Sequence, residues 1–459
     1  MKKNRYNFLY LFLILIIYLS LTSVIVFGKR TSYSNYESRN TALMNDVNLF
    51  NFPNQFTEFF NDSIPYKDNL VNLAIYIKSY LKLNRKDNFT INEYNKENFN
   101  LELSGKTINN NINDLNDIVT ETNNINNDSV EEFDYKVSTN GATKLVTIGE
   151  GDNFRGMFLF DYKALNNFRY MNVINTLKKS LNELNLNNIT INSILVPMHC
   201  SLYLPKDISM KLLKVDQHEY INSCYDKLID GIDSIDAYEV LERHVNDDIF
   251  FRTDTHWTQL GAHYVAEEYV KKLNLSFKDL SEYEKVTLND YVGSLFRYSE
   301  NFMFMANSED FTYYKPINIT YDTIQQQYVF DNNHNFSHLK IVNTNVFNED
   351  IKEKTNYYDI FFGGDSNTTV IRTNNGNNRR VLVLKDSFGN SFVPNLINSF
   401  NEIHVIDYRY FYDNLIDYIK TNDITDIVFV SNISLINSEA EKYEIMLIQQ
   451  NYNENLIIK

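Results

Sequence analysis

A serine, a histidine and an aspartate occur in this sequence in contexts that suit a catalytic triad. Ser387 follows the apolar run VLVL and the dipeptide KD, and it precedes FGN and a second apolar-periodic run. Asp254 and His256 are two residues apart in TDTHW. A serine nucleophile needs a base within hydrogen-bond reach and an acid that orients the base. These residue types therefore indicate ester hydrolysis or acyl transfer.

The stretch VLVLKDSFGNSFVP, residues 381–394, predicts a buried parallel strand, a tight turn and a helix. This order places Ser387 at the carboxyl end of a strand and the amino end of a helix. Open α/β sheets hold their ligands at that edge, and backbone N–H groups there can bind an oxyanion. We interpret Ser387 as the nucleophile, with its own N–H as one oxyanion donor.

The base and its orienting acid are predicted in the segment before a helix. On an extended segment, side chains two residues apart point to the same side. Asp254 could therefore meet one imidazole nitrogen of His256 and leave the other free. Thr258 can cap the following helix and tether this loop. Trp257, the single tryptophan, either walls the pocket and stacks on a sugar or is a core aromatic.

Further polar groups are expected near the same edge of the sheet. Arg409 follows the strand EIHVID and either donates to an oxyanion or substrate carboxylate, or forms an ion pair with Asp407 or Asp386. Asn432, at the end of the last predicted strand, is a candidate oxyanion donor. Gly364 in FFGGDSN could offer a backbone N–H, or simply form a turn.

Other chemistry-bearing residues are interpreted as structural. Asp386 is read as a turn residue rather than the orienting acid. His263 is read as a packed helix histidine and His199 as a residue at the border of the crevice with no catalytic role.

No metal or cofactor is predicted. His334 and His338 have H-x-x-x-H spacing, but their Asn-rich stretch lacks the glutamate of H-E-x-x-H. The sequence has no phosphate loop and no dinucleotide fingerprint.

Composition excludes some classes of protein. The net charge of −16 argues against a nucleic-acid partner, because no basic face can dominate such a surface. With 43% hydrophobic residues the chain can bury a sizeable core. Its two cysteines, Cys200 and Cys224, either form a disulfide outside the cytoplasm or remain free buried thiols.

The N-terminus predicts a membrane anchor. The basic sequence MKKNR precedes an uncharged apolar run at residues 6–28, which is close to the ~20 residues that a helix needs to cross a bilayer. The positive-inside rule keeps MKKNR in the cytoplasm. We expect an uncleaved signal anchor that crosses the cell membrane once and places the rest of the chain outside the cytoplasm.

The chain divides into five predicted parts. These are a cytoplasmic tail (1–5), the anchor (6–28), a stalk with an amphipathic helix (29–85), an Asn-rich insertion that we expect to be poorly ordered (86–140) and a catalytic domain (141–459).

Alternating strands and helices in the last part predict an α/β fold, a sheet with helices on both faces. Strands are expected at 144–148, 157–161, 189–197, 234–236, 381–384, 402–407 and 426–431. Helices are expected at 168–186, 207–229, 258–273, 391–399, 411–421 and 438–450. The last three strands should be parallel with right-handed crossovers. FRYSENFMFM, FTYYKP and YDIFFGGD suggest further strands around the site.

The combination of TDTHWTQLGAHY, KDSFGNSFVPNL and EIHVIDYRYF resembles the DHHW family, which is related to alginate O-acetyltransferase proteins. The resemblance extends to the anchor, to FNDSIPYKDNL and to everything from residue 189 onward, but not to residues 86–140. It implies a three-layer α/β/α, SGNH-hydrolase-like sheet and a triad of Asp254, His256 and Ser387. Thr255 replaces the first histidine of the family name, a variant that the acetyltransferase relatives share.

The resemblance also implies a function. It suggests an O-acetyltransferase or carbohydrate esterase that acts on a cell-wall or exported polysaccharide, with a membrane-bound acyltransferase as the partner that supplies acetyl groups. Hydrolysis and transfer share one triad and differ in whether water or a sugar hydroxyl takes the acyl group. The alternative is a non-catalytic surface protein that binds polysaccharide or acts as a scaffold.

Overall fold

The computed structural model describes most of the chain after residue 134. The described ranges are 33–34, 39–40, 135–140, 143–149, 151–159, 169–204, 206–213, 216–299, 301, 303–330, 336–365, 368–411 and 413–438. The predicted tail, anchor and amphipathic helix lie outside these ranges. Within the ranges, no helix is long and apolar enough to cross a membrane.

Thirteen strands lie in the part after residue 134. They are β1 (Tyr135–Asn140), β2 (Thr143–Ile148), β3 (Arg155–Leu159), β4 (Thr190–Val196), β5 (Asp233–Ile235), β6 (Tyr283–Tyr291), β7 (Glu309–Pro316), β8 (Tyr321–Phe330), β9 (Phe336–Asn343), β10 (Thr368–Thr373), β11 (Arg380–Lys385), β12 (Glu402–Asp407) and β13 (Asp426–Asn432). Before them, Tyr33–Ser34 pairs with Arg39–Asn40.

Eleven α-helices, several of them a single turn, connect these strands in the same described part. They are α1 (Arg169–Glu183), α2 (Cys200–Tyr203), α3 (Lys206–Leu213), α4 (Gln217–Tyr225), α5 (Ala237–Arg243), α6 (Gln259–Lys272), α7 (Ser294–Ser299), α8 (Met303–Ala306), α9 (Gly389–Phe392), α10 (Leu415–Thr421) and α11 (Ile433–Ser438). Short 3₁₀ turns include Tyr357–Ile360 and Val393–Leu396.

A large central sheet confirms the predicted α/β class. Its strand order is β9-β8-β10-β12-β11-β13-β4-β5. Strands β12, β11, β13, β4 and β5 are parallel neighbours, and β10, β8 and β9 continue the sheet in antiparallel pairings. The three strands predicted from the C-terminal part are therefore parallel and adjacent, with the serine strand β11 in the middle.

The sheet is buried on both faces, and its central strand β11 is apolar from Val381 to Leu384. In β11, Leu382 and Leu384 pack into one hydrophobic core, whereas Val381 and Val383 pack into a second. Alternate residues of a strand point to opposite faces, so a continuous apolar run needs a cover on each side. Helices α1, α4 and α10 supply residues to the first core, and α5, α6 and α9 supply residues to the second.

Side-chain caps set where several helices begin. Thr258 accepts a hydrogen bond from Gly261 N at 3.1 Å, as predicted, and so starts α6 directly after the Asp-x-His segment. Asp216 caps α4 in the same way. This cap explains why the helix predicted over 207–229 is instead two helices, α3 and α4.

Two aromatic-rich stretches predicted as strands are not strands. Most of FRYSENFMFM forms the short helices α7 and α8, and YDIFFGGD forms a 3₁₀ turn followed by a loop. Aromatic residues favour strands where they pack on a pleated, half-buried surface. Here Phe296, Phe304 and Phe361 are instead fully buried in the two cores. FTYYKP does form a strand, within β7.

Two boundaries in the structure also differ from the prediction, one near residue 140 and one near residue 438. Strand β1 occupies the last residues of the predicted Asn-rich insertion and pairs with β2 in a separate sheet, β1-β2-β3. Near the C-terminus the described helix is α11, which ends where the predicted helix 438–450 should begin. The remainder of that predicted helix lies outside the described residues.

Candidate active site

Ser387 lies in the turn between β11 and α9, at the carboxyl edge of the central sheet. The helix begins two residues earlier than predicted, at Gly389 rather than 391. No residue with a side chain fits at position 389, because a Cβ there would lie 2.4 Å from Lys385 Cβ. The turn therefore folds back tightly on the strand and leaves Ser387 partly exposed.

The base and acid lie on a bent loop, one of the two settings, a loop or a strand end, that the Asp-x-His spacing allows. Phe250 and Trp257 form an antiparallel bridge, and Phe251 N donates to His256 O at 3.2 Å. Between them, Asp254 Oδ1 accepts from His256 N at 2.9 Å. This local turn, rather than strand alternation, brings the imidazole beside the carboxylate.

Three side chains from the two segments form one hydrogen-bonded array. His256 Nδ1 lies 2.6 Å from Asp254 Oδ1, and His256 Nε2 lies 2.7 Å from Ser387 Oγ. With Nδ1–H donating to the carboxylate, Nε2 can accept the serine proton. The structure thus brings together the nucleophile, base and acid predicted from sequence, across 131 residues between His256 and Ser387.

Asp254 is buried and remains an anion. Its second oxygen, Oδ2, accepts from Tyr291 OH at 2.7 Å and from Ser294 N at 2.6 Å. Burial by itself would raise the pKa of Asp254, but the charge and hydrogen bond of His256 and the donors at Ser294 and Tyr291 outweigh it and lower the pKa. A stable carboxylate favours one imidazole tautomer and supports a positive charge on His256.

A buried glutamate holds the start of this loop. Glu309, at the beginning of β7, accepts from Arg252 N at 2.8 Å, from Thr253 N at 2.6 Å and from Thr253 Oγ1 at 2.6 Å. Thr253 Oγ1 in turn accepts from Gly293 N at 2.9 Å. The loop that carries Asp254 is therefore fixed on two sides by neighbouring segments.

Two aromatic rings enclose the imidazole. Tyr358 stacks on His256 with ring centroids 4.0 Å apart and an interplanar angle of 11°. Phe388 lies at 4.9 Å with a tilted ring. Tyr358 OH also donates to Ser387 O at 2.8 Å. The imidazole is left with 13% of its side chain exposed, so it is largely screened from water.

Asp386, beside the proposed nucleophile, holds the turn together as a turn residue would. Its carboxylate accepts from Phe388 N at 2.9 Å and from Asn432 N at 2.7 Å. Burial raises the pKa of Asp386 to about 7, although the two backbone donors and the nearby Arg409 oppose the shift. The side chain ties the Ser387 turn to the end of the neighbouring strand β13.

Ser387 N–H is the predicted oxyanion donor that remains available. It donates to no acceptor within the described ranges. Arg409, by contrast, forms the ion-pair alternative: its Nε and Nη2 bond Asp407 at 2.8 and 2.6 Å, and Nη2 also meets Asp365 at 2.7 Å. Lys385 completes this buried network with Asp407 at 2.9 Å. The Arg409 nitrogens in these bonds are not free to donate to an oxyanion.

The other two predicted donors, Asn432 and Gly364, also donate hydrogen bonds within the protein. Asn432 Nδ2 donates to Val196 O at 3.2 Å, and Asn432 N donates to Asp386. Gly364 N donates to Phe361 O at 3.1 Å, and Gly364 has a φ of +96°, which is the turn alternative.

Trp257 is the core-aromatic alternative of the two that the sequence left open, because a fully buried ring cannot stack on a sugar. The side chain is 0% exposed, its ring stacks on Phe392, and Nε1 donates to Phe388 O at 2.8 Å. The indole N–H of Trp257 therefore holds the backbone of Phe388, the residue next to Ser387.

His263, His199 and the two cysteines are buried away from the hydrogen-bonded array. His263 is buried and lies 3.2 Å from Asn395 Oδ1. His199 is buried beside Phe250, and burial lowers its pKa to about 3. Cys200 and Cys224 are both free and buried, so the disulfide alternative is wrong.

No group of acidic, histidine or cysteine side chains in the described ranges could hold a metal ion. Of the two histidines with H-x-x-x-H spacing, His334 lies outside those ranges.

Sequence reasoning missed the residues that support the array. They are Gly293 and Ser294 in YVGSL, Tyr291, Glu309 and Tyr358. The isolated glycine at 293 was the one available signal there, because such a glycine can mark a close backbone approach. The tyrosines gave none, because 33 tyrosines in the chain make any single one uninformative.

Comparison with known proteins supports the fold. No curated protein matches the chain. A DHHW family protein from Eubacterium siraeum is 29% identical, with a TM-score of 0.57, and the alignment covers 68% of this chain and 97% of that one.

Two further solved structures are more distant. PatB1 of Bacillus cereus, solved with a sulfonyl adduct, is 21% identical over 67% of this chain and 98% of that one, with a TM-score of 0.49. The O-acetyltransferase domain of AlgJ from Pseudomonas putida is 13% identical over 63% and 92%, with a TM-score of 0.33.

The family model described as DHHW protein matches residues 86–406. This range includes the Asn-rich segment 86–140, so the expectation that the family resemblance does not cover that segment is wrong. The matched range ends before Arg409. Because the match spans well over half of the sequence, the chain belongs to the DHHW family.

Proposed function

We propose that this protein is a polysaccharide O-acetyltransferase or carbohydrate esterase with a serine nucleophile. It would have an SGNH-hydrolase-like, three-layer α/β/α fold, with Ser387, His256 and Asp254 as its catalytic triad. The observation that carries the proposal is the continuous array in which His256 lies 2.7 Å from Ser387 Oγ and 2.6 Å from Asp254 Oδ1. These distances are those of a nucleophile, a base and an orienting acid ready for proton transfer.

In the first step, Ser387 Oγ attacks the carbonyl carbon of an acetyl ester while His256 Nε2 takes the hydroxyl proton. The carbonyl π electrons move to oxygen and form a tetrahedral oxyanion. Asp254 remains ionised and stabilises the imidazolium. The oxyanion then collapses, the C–O bond to the donor alcohol breaks, and His256 returns the proton to the departing oxygen. The product is an acetyl ester of Ser387.

In the second step, an acceptor attacks the acetyl-enzyme. His256 removes a proton from a sugar hydroxyl or from water, and the new C–O bond replaces the bond to Ser387 Oγ, which recovers its proton from His256. A sugar acceptor completes acetyl transfer, whereas water completes hydrolysis. We propose transfer to a cell-wall or exported polysaccharide as the physiological outcome.

The oxyanion needs donors aimed at its position. Ser387 N–H is unpaired among the described residues and belongs to the residue that makes the new bond, so it supplies one such donor. Loss of a single donor of this kind costs about 100- to 1000-fold in other serine enzymes.

The cellular setting is part of the proposal. The uncharged run 6–28 after MKKNR supports a single-pass anchor with the triad outside the cytoplasm. An acetyl donor has to reach that side, so we propose a membrane-bound acyltransferase as the partner that supplies acetyl groups.

A serine-directed fluorophosphonate probe tests this function on the full-length chain in detergent. We expect the wild-type protein to be labelled, Ser387→Ala to be unlabelled, and His256→Ala and Asp254→Asn to be labelled much more slowly. Ser223→Ala is the matched control, because Ser223 lies on α4, where its hydroxyl donates to Tyr220 O.

Two results would reject the proposal. Labelling that persists in Ser387→Ala would show that another residue is the nucleophile. Absence of labelling in the wild-type protein, together with unchanged polysaccharide binding in all variants, would favour the non-catalytic alternative. Acetyl release from a labelled ester with and without an added oligosaccharide then separates transfer from hydrolysis.

A further inference from the structure

We propose that Tyr358 is a positioning residue that fixes both the base and the nucleophile of this site. The inference rests on the proposed function and adds a residue that neither the motifs nor the family resemblance pointed to. Tyr358 is the one described side chain that bonds the Ser387 backbone and also stacks on His256.

The hydroxyl of Tyr358 acts on the nucleophile. It donates to Ser387 O at 2.8 Å and lies 3.2 Å from Ser391 Oγ one helical turn later. Burial raises the pKa of Tyr358 well above its ordinary value, so this hydroxyl stays protonated and remains a donor. The bond holds the turn between β11 and α9 at a set distance from the residue-358 backbone.

The ring of Tyr358 acts on the base. Its near-parallel stack at 4.0 Å prevents the imidazole from rotating about its bond to Cβ on that side. Phe388 also contacts the imidazole, with ring centroids 4.9 Å apart and an interplanar angle of 51°. A face of an aromatic ring also attracts a cation, so the stack favours the imidazolium that forms when His256 takes the serine proton.

Tyr358 is itself rigid. It is 7% exposed, sits on the 3₁₀ turn Tyr357–Ile360, and meets Phe251 and Phe361 edge-on at 6.3 and 5.5 Å. Phe251 belongs to the loop that carries His256. One side chain therefore couples three separate segments of the chain at the point where the proton moves.

The two contacts can be separated by two substitutions. Tyr358→Phe removes the hydroxyl bond but keeps the stacked ring, and Tyr358→Leu removes both while keeping the site apolar. We expect kcat/KM for p-nitrophenyl acetate to fall about 2- to 12-fold in the first variant, the value of one net hydrogen bond. The second variant should lose a further factor of about 2 to 30, the value of a cation–π contact.

The pH profile distinguishes positioning of the base from a general structural role. Without the ring the imidazolium loses a favourable contact, so protonation of the base requires a lower pH. The acid limb of kcat/KM should therefore move to lower pH by roughly 0.3–1.5 units in Tyr358→Leu and stay in place in Tyr358→Phe.

Tyr225→Phe is the matched control. Tyr225 OH donates to a backbone carbonyl, Ile235 O, at 2.9 Å, outside the array of Ser387, His256 and Asp254. This variant should lose stability without losing kcat/KM.

The inference is overturned if Tyr358→Phe keeps the wild-type rate, or if the acid limb moves equally in both Tyr358 variants. Should Tyr358→Leu fail to fold, the rate and the unmoved acid limb of Tyr358→Phe still decide the role of the hydroxyl. Activity that survives in Ser387→Ala would instead reject the proposed function, so the two failures are distinguishable.

Discussion

Gly293 lies against Asp254 so closely that no side chain fits between them. A Cβ at Gly293 would be 2.4 Å from Asp254 Cβ and 2.6 Å from its Oδ2. This close approach lets the next residue, Ser294, donate its N–H to Oδ2 at 2.6 Å. The orientation of the proposed orienting acid therefore depends on a missing side chain.

Gly293→Ala should reduce kcat/KM for p-nitrophenyl acetate by about 100-fold, because a shift of about 1 Å at a catalytic group has that effect. The methyl group displaces Asp254, and His256 loses its orientation. Steady-state kinetics and thermal unfolding measure the two consequences.

Gly376→Ala provides the control for this prediction. Gly376 has a φ of +73° and no atom within 4 Å of an added Cβ, so the substitution strains the backbone away from the site. It should lower stability and leave the rate intact. A wild-type rate in Gly293→Ala would contradict the steric argument.

Asp386 predicts a pH-dependent difference in stability between the wild-type protein and Asp386→Asn. Burial raises the pKa of Asp386 to about 7, above the value near 3.9 in an unfolded chain. The folded state therefore binds this proton more tightly, and its stabilising effect is full below pH ~4 and is lost as the pH rises through 7. Asparagine does not titrate.

Urea unfolding of both proteins between pH 4 and 8 measures this effect. The wild-type protein should lose about 2–4 kcal/mol relative to Asp386→Asn between pH 4 and 7. Effects of other carboxylates, such as Asp254, occur in both proteins and cancel in the difference. A difference that is constant with pH would exclude a raised pKa.

The ion-pair network beside the serine strand predicts a large loss of stability in Asp407→Asn. Asp407 is 0% exposed and bonds both Lys385 and Arg409, whose side chains are 2% and 9% exposed. Removing its charge leaves two buried cations with one remaining carboxylate, Asp365. We expect a loss of about 3–5 kcal/mol in denaturant unfolding.

Arg372→Ala is the comparison for an exposed ion pair. Arg372 is 49% exposed and meets Glu402 at 3.2 Å, so its loss should cost less than about 1 kcal/mol. Equal losses in the two variants would show that the buried network has no special weight in stability.

We expect the thiols of Cys200 and Cys224 to be unreactive in the native protein. Burial raises the pKa of Cys200 to about 12 and of Cys224 to about 11, so neither forms the reactive thiolate near neutral pH. Ellman's reagent should detect no thiol in the folded chain and two after denaturation without reductant. Detection of none after denaturation would indicate a disulfide.

Local patterns in the sequence were sufficient for the parts of the site that depend on neighbouring residues. An apolar run that ends in Lys-Asp-Ser predicts a buried strand whose end presents Ser387, and β11 ends at Lys385. Thr258 before a periodic stretch predicts a helix start, and it caps α6. The residue types of Asp254, His256 and Ser387 indicated ester hydrolysis or acyl transfer before any geometry was known.

Tertiary structure decided what depends on contacts between distant segments. Only folding places His256 against Ser387, 131 residues away, and Tyr358 against both. It also resolved the alternatives for Trp257 and Arg409, because burial and ion pairing depend on which segments pack together. A sequence pattern records the period of one element, whereas the surroundings of a side chain are supplied by other elements with no fixed spacing from it.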